Sequence, residues 1–464
     1  MNLNDIKTPA YVIDEKKLRE NLEILDRVQK ESGAKILLAQ KAYSVYQTYP
    51  LIAKYLTGAT ASGLYEARLA HEEMKLENHV YEPAFEDEEM GELCNICDHI
   101  VFNSLNQLEH HRPTWEQAAK EGKISVGLRI NPEYSTQEEH EIYDPCADGS
   151  RLGIKLANMP DDLPEGVEGL HFHTLCEQGF EPLLDTFLFV EDKFSGYFPN
   201  PVSEVNIGDY GYAMMHRAGF DRIRENISSN VSASIGGAIN TDDYKSINEN
   251  IYKTGEVSLE HTTNTDTASM EPNANADEEN KSRTRIKWIN LGGGHHITRE
   301  DYDVKGLIGL VKYIKDKYGI DVYLEPGEAI ALDAGYLVTT VMDIVPTQRM
   351  PVLILDTSAA CHMPDVLEMP YRPPLRDSEE PGELPYNYRL SSRTCLAGDI
   401  IGDYSFEHEI FIGDRLFFED MAIYSIVKNN TFNGMPLPDI DILHENGEVE
   451  VIRKFGYEDF KMRL

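Results

Sequence analysis

The chain has 464 residues, 41% of them hydrophobic, and sets 43 Lys and Arg against 80 Asp and Glu for a formal charge of −37. So acidic a surface repels phosphate backbones and anionic lipid, and no basic patch offsets it; nucleic-acid and membrane-surface partners are excluded, and small cations are the partners it would attract. No run of about 18 apolar residues is present, the opening MNLNDIKTPAYVID lacks the basic-then-apolar order of a signal peptide, and six cysteines are too few for a disulfide framework, so a soluble cytoplasmic protein is expected.

In chain order, a strand-like TPAYVID and a helical KKLRENLEILDRVQKES come first. Eight short apolar runs follow: AKILLAQKA, TGATASG, HVYEPAF, HIVFNSL, ISVGLRIN, VEGLHFHTLCE, IKWINLGGG and DVYLEPGEA. Between most of them lie amphipathic stretches bounded by Gly, Asn, Asp or Pro, among them GLYEARLAHEEMKLE, EDEEMGELCNIC, NQLEHHRPTWEQAAKEG, EPLLDTFLFVEDKF and DVKGLIGLVKYIKDKYG. Near-continuous apolar strands alternating with helices predict an α/β chain with a (β/α)8 barrel; a dinucleotide-type open sheet would want an early GxGxxG, and none is found. From about residue 335 the pattern turns to strands without helices, GYLVTTVMDIV, MPVLILDTS, DRLFFEDM, AIYSIVKN and EVEVIRKF, around a Pro-rich polar stretch. The expected division is an N-terminal strand and helix over 1–30, a barrel over 31–330, and a C-terminal β-domain over 331–464 that the first strand joins. Residues 197–284 are rich in Asn, Ser, Thr and acidic side chains with little apolar periodicity. They read as a largely disordered insertion on the face opposite the βα loops, and carry only about 7 of the excess negative charges.

Chemistry concentrates at the carboxyl ends of the barrel strands, where active sites of this architecture lie. Lys41 ends the first strand; a lysine partly withdrawn from water there has a depressed pKa and can form a Schiff base, while a lone lysine would otherwise simply snorkel. Gly292, Gly293 and Gly294 follow the seventh strand, where backbone N–H groups can cradle a phosphate. His171 and His173 alternate on the sixth strand, as a metal pair or with one imidazole packing on a flat cofactor ring. The further His and Asp ligands of a metal barrel are not apparent, so no metal is expected. His295 and His296 would point apart, at least one as an ordinary loop residue. Glu325, in YLEPGEA, could keep a heterocyclic nitrogen protonated. Lysine, phosphate cradle, stacking imidazole and carboxylate at one rim are what pyridoxal phosphate requires. Cys94 and Cys97 form a CxxC without a second pair and read as buried structural thiols; Cys361 and Cys395 lie in Asp- and Gly-rich loops, where a proton donor to a carbanion is a possible role.

The segments LLAQKAYS, GLHFHTLCEQ, NLGGGHHITREDYD, YLEPGEA, DTSAACHMPDVLEMPYRP, TCLAGDIIGDYSF and FEDMAIYSIVKNNTFNG resemble the carboxynorspermidine (carboxyspermidine) decarboxylase family, within the alanine-racemase-like, fold-type III pyridoxal-phosphate decarboxylases. The resemblance spans nearly the whole chain outside the insertion. HFHTLCEQ separates it from the ornithine and diaminopimelate branches, which carry an HxGSG-like run there. It implies Lys41 as the cofactor-bearing lysine, His173 as the stacking imidazole, Gly292 to Gly294 as the phosphate loop, Glu325 as partner of the pyridine nitrogen and Tyr424 as a phosphate ligand. Arg151 is implied near the cofactor, Asp356 as a substrate-binding aspartate, and Cys395 as the reprotonating thiol. Glu325 and Asp399 are further carboxylates expected toward the substrate. A homodimer whose subunits complete each other's sites is implied, with a carboxylated polyamine as substrate. The competing readings are a diaminopimelate, ornithine or arginine decarboxylase, an inactive antizyme-inhibitor-like regulator, and a metal-dependent barrel hydrolase.

Overall fold

The computed structural model describes residues 3–137, 143–205, 207–211 and 285–464. Strand β1 (Ala10–Asp14) runs directly into a long helix, Glu15–Ser32. Asp14 ends the strand and starts the helix, its carboxylate accepting the Lys16 and Lys17 amides at 3.1 Å, which satisfies donors that have no intrahelical partner. Leu18, Leu22, Leu25 and Val28 give the helix its buried stripe, and Gly33 closes it at φ 74°, a left-handed conformation that glycine adopts without a Cβ clash.

Eight strands then alternate with helices: β2 (Lys35–Ala39), β3 (Gly58–Ala61), β4 (Glu77–Glu82), β5 (His99–Phe102), β6 (Ser125–Asn131) with a two-residue partner β7 (Ile154–Lys155), β8 (Val167–His171), β9 (Trp288–Asn290) and β10 (Asp321–Leu324). All pair in parallel, and β5 pairs with β6 to close the ring. Each of the eight expected barrel strands is present. The main core lies between the outward faces of these strands and the surrounding helices, with Ile36, Leu38, Val80, Ile100, Leu170 and Ile289 fully buried. Inside the ring, period-2 alternation points Glu77, His79 and Tyr81 of β4 inward, and Trp288, Leu37, Val101 and Tyr323 form a compact interior cluster. Gly127 and Gly169 make room for that indole: a Cβ on either would stand 2.3 or 2.0 Å from Trp288.

The second sheet has the order β14-β13-β12-β11-β1-β16-β17, with β15 also on β11. Its strands are β11 (Gly335–Val345), β12 (Val352–Leu355), β13 (Tyr386–Ser392), β14 (Ile400–Phe406), β15 (Arg415–Glu419), β16 (Asp439–Leu443) and β17 (Val449–Arg453). The first strand of the chain sits inside this sheet, antiparallel to β11 and parallel to β16. Two expectations need correction. AIYSIVKN is not a strand: Tyr424 takes φ 54° and starts a short helix, Ser425–Lys428, with its amide bound to Ala42 O at 2.9 Å instead of to a neighbouring strand. The proposed insertion also begins later than residue 197. Tyr197 and Phe198 are buried, Val202 N–H donates to Lys317 O, and Tyr210 OH donates to Asp316, so this stretch is docked along the helix Val304–Tyr318. The rest of that span, 212–284, lies outside the described residues.

Candidate active site

Strand ends set the positions. Ala39 N–H donates to Pro326 O and Gln40 N–H to Thr60 O, so the barrel ladder continues one step past β2 and delivers Lys41 to the rim. Gly327 packs so closely on Ala42 that a Cβ there would lie 2.7 Å from the Ala42 methyl, which brings the loop after β10 against the residue following Lys41. The Lys41 side chain reaches water at the mouth. Its ammonium is nevertheless held below the ordinary lysine range, first by lost hydration and then by the Arg129 guanidinium, against the pull of Glu325 and Glu328. Among the described residues it makes no hydrogen bond, so its amine is uncommitted.

Glu325 stands at the end of β10. One oxygen accepts from Asn290 Nδ2 at 2.7 Å and the other lies 3.3 Å from His171 Nε2. Burial works to raise this carboxyl, but the imidazoles around it, His171 first and then His79 and His173, outweigh burial and hold it well below the usual carboxylate range, while burial holds His171 itself down. Asn290 is fully buried and also accepts the Gly292 amide at 2.9 Å, so one side chain ties the glycine loop to the carboxylate.

The glycine run is dictated by space. A Cβ at Gly292, Gly293 or Gly294 would stand 2.4, 2.0 or 1.9 Å from the carbonyl oxygens of Phe172, Glu325 and Leu175. Two of the three amides are engaged within the chain. Gly292 N–H goes to Asn290, and Gly293 N–H donates to His173 Nδ1 at 2.9 Å. That second bond fixes His173: with Nδ1 accepting, the ring proton sits on Nε2. Burial, then Lys41 and Arg129, hold this imidazole neutral, well below its ordinary range. The two remaining histidines of the loop do point apart, His295 to Tyr302 OH at 2.7 Å and His296 to Glu328 at 2.5 Å.

Tyr424 joins this group through its amide bond to Ala42 O, which anchors the second sheet's loop beside Lys41. Lys41, His173, Gly292 to Gly294, Glu325 and Tyr424 therefore lie around one mouth. The other candidates have these surroundings. Asp356 accepts from Thr8 and Thr339 hydroxyls at 2.6 Å and the Thr340 amide at 2.9 Å, inside the second sheet. Asp399 is 1% exposed and accepts from Ser358, Ser392 and Thr394 hydroxyls and the Ala360 amide, which makes it an organiser of the loops around it. Cys395 is exposed, its amide on Asn433, and Cys361 is buried with its thiol toward Phe432 O. Arg151 has an exposed side chain and a carbonyl bound by Asn103.

Arg129 and Tyr81 were not anticipated. Arg129 is 5% exposed, donates to His173 O at 3.0 Å and lies 4.6 Å over the Tyr81 ring, which in turn meets His171 edge-on at 5.6 Å. An uncommitted amine, an ionised carboxylate, a neutral imidazole and a cradle too narrow for any side chain are the donor set that pyridoxal phosphate needs.

A family model described as pyridoxal-dependent decarboxylase, C-terminal sheet domain, matches residues 10–422. The chain belongs to the pyridoxal-dependent decarboxylase family. Its cofactor is pyridoxal phosphate and its activity is that of a carboxy-lyase. A carboxynorspermidine/carboxyspermidine decarboxylase of Campylobacter jejuni is 36% identical over 469 residues, covering 99% of this chain and 98% of that protein. A carboxyaminopropylagmatine decarboxylase of Synechocystis is 33% identical over 463 residues, covering 100% of this chain and 96% of the other. Among solved structures, carboxynorspermidine decarboxylase from Campylobacter jejuni complexed with norspermidine superposes with TM-score 0.75 at 34% identity, covering 99% of this chain and all of that one. Diaminopimelate decarboxylase from Helicobacter pylori, at 16% identity and TM-score 0.66 over 99% and 97% of the two chains, shares the fold. Among the described residues of this decarboxylase no helix is long and apolar enough to cross a membrane, and all six cysteines are free thiols.

Proposed function

We propose that the chain decarboxylates carboxynorspermidine or carboxyspermidine, giving norspermidine or spermidine. The observation that carries this reading is the grouping of Lys41, His173, the glycine cradle and ionised Glu325 at one mouth, in a chain similar over its full length to relatives bearing that name. When bound, pyridoxal phosphate supplies a sink for the electron pair left by departing CO2. Lys41, short of hydration, offers an amine to hold the cofactor and to be exchanged for the substrate's amine. The Glu325 carboxylate, aimed by Asn290, would be the group to hold a proton on the cofactor's ring nitrogen. His173, neutral and locked by Gly293, presents its flat face. Gly292 to Gly294 and Tyr424 would hold the phosphate end, with the Gly292 and Gly293 amides already engaged by Asn290 and His173.

Glu66, Glu82, Glu86 and Glu89 line a cavity of about 330 Å³ at the carboxyl ends of β3 and β4. Burial and then Glu89, Glu86 and Glu66 push the Glu82 carboxyl up to about 7, a repulsion that a bound ammonium would relieve. This supports a substrate carrying several ammonium groups, with Arg151, Asp356 and Asp399 kept as outer candidates. Cys395 reaches the mouth in this reading from a second copy, in a cytoplasmic homodimer; its exposure, with that of Leu396 and Phe432, supports this. Residues 31–330 are the cofactor-binding unit and 331–464, with β1, the unit that completes it.

Similarity to the Synechocystis relative favours one other substrate, carboxyaminopropylagmatine. Purified chain supplied in turn with the three carboxylated polyamines, diaminopimelate, ornithine and arginine decides between them, by CO2 release and the mass of the amine formed. Faster turnover of diaminopimelate, ornithine or arginine than of any polyamine overturns the proposal.

A further inference from the structure

We propose that Glu77, His79 and His99, at the end of the barrel opposite the mouth, form a binding site for one divalent transition metal ion. Glu77 and His79 alternate on β4, and His99 is the direct partner of His79 on β5, so the parallel register alone brings two imidazoles and a carboxylate together inside the ring. The two rings stack at 4.0 Å with planes 11° apart. His79 Nε2 is 2.9 Å and His99 Nε2 3.7 Å from the same oxygen of Glu77, and the three ligand atoms all lie within 4.8 Å of one another. Two imidazoles and one carboxylate with open positions are a common ligand set for zinc, iron or cobalt.

The second observation is an unexplained buried side chain. His99 is 8% exposed, and among the described residues its Nδ1 has no hydrogen-bond partner while its Nε2 faces Glu77 at 3.7 Å, beyond hydrogen-bond range. A metal ion between Nε2 and the carboxylate would engage the imidazole nitrogen that faces Glu77 without bonding to it. Glu77 is shared with Tyr323 OH at 2.7 Å and Lys35 Nζ at 3.6 Å. Lys35 also lies 3.3 Å from Asp321, to which it can retire as the ion enters, and the side-chain exposure of both marks the route from solvent.

A second cluster, Asp87, His110 and His111, is a surface group with exposed Asp87 and His110 and serves as the internal control. The test uses the full chain loaded with cofactor, stripped with a chelator and titrated with Co2+. Expected are d–d absorption bands at about one ion per chain and quenching of Trp288, whose ring is 4.7 Å from His99. Binding should weaken at least about tenfold in His99→Asn and Glu77→Gln but not in Asp87→Asn. No d–d bands and no quenching in the unmodified chain, or binding lost in Asp87→Asn, overturns the proposal. If the barrel variants do not fold, the unmodified chain and Asp87→Asn decide it alone.

Discussion

Single side chains in this molecule are set by what they lack as much as by what they touch. Among the described residues Lys41 has no hydrogen-bond partner, and lost hydration, with Arg129 close by, holds its ammonium below the ordinary lysine range. Lys41→Ala should remove the visible absorbance of bound cofactor that borohydride fixes to the protein, and lower turnover about 1000-fold or more. A variant that keeps its turnover would sink that role. Asp441 lacks a partner for a different reason. It is 1% exposed on β16 with Oδ1 unbonded, and burial, then Asp439, push its carboxyl up to about 7 against the pull of Lys454. Its folded pKa exceeds the unfolded value of 3.8, so the folded chain binds the proton more tightly and stability falls as pH rises between the two, by up to about 1.4 kcal/mol per pH unit. Asp441→Asn, neutral throughout, should be the more stable form, with a gain in urea midpoint that grows from about pH 4 to about pH 7 and then levels off. A gain independent of pH would show that the carboxyl does not titrate there.

At the scale of elements, packing decides what sequence alone leaves open. The interior glycines of β6 and β8 exist because Trp288 fills their side of the ring. Gly169→Ala should cost about 1–3 kcal/mol by overpacking, measured by denaturant unfolding, and Trp288→Phe should restore part of it. The eight barrel strands were legible because they are short apolar runs between capped helices. Three strands of the second sheet were not. In β16 the sequence DIDIL turns its aspartates inward, reversing the polarity that marks a strand's buried face, while β13 and β14 hide in polar stretches near prolines and glycines. The rim residues Lys41, Glu325 and the glycines were legible from position, since each directly follows an apolar run. Arg129 was not, because SVGLRIN reads as an apolar strand with a stray charge; alternation from Gly127 would have placed it inward. The surroundings of Asp399 were not legible either: three hydroxyls and an amide, from residues as far apart in the chain as Ser358 and Thr394, converge on it.

The whole molecule carries its charge of −37 mostly outside the 197–284 span, so the field belongs to the body that bears the site. A cationic substrate approaching that body is drawn in by long-range attraction, which salt screens within about 10 Å at 0.1 M. kcat/KM for a carboxylated polyamine should fall about two- to tenfold between low and high salt while kcat changes little. An unchanged kcat/KM would confine the role of the charge to solubility.

The place of β1 also governs how the molecule is made. Its neighbours in the sheet are β11, which starts at Gly335, and β16, which starts at Asp439. Strand β1 thus acquires its last partner only after residues 15–438 have been synthesised, roughly 20–90 s later at ordinary elongation rates. Throughout that interval an apolar AYVID segment presents bare strand edges to any other chain nearby. Yield in the cell is therefore exposed to the pace of translation, and to whatever shields this strand while the barrel assembles.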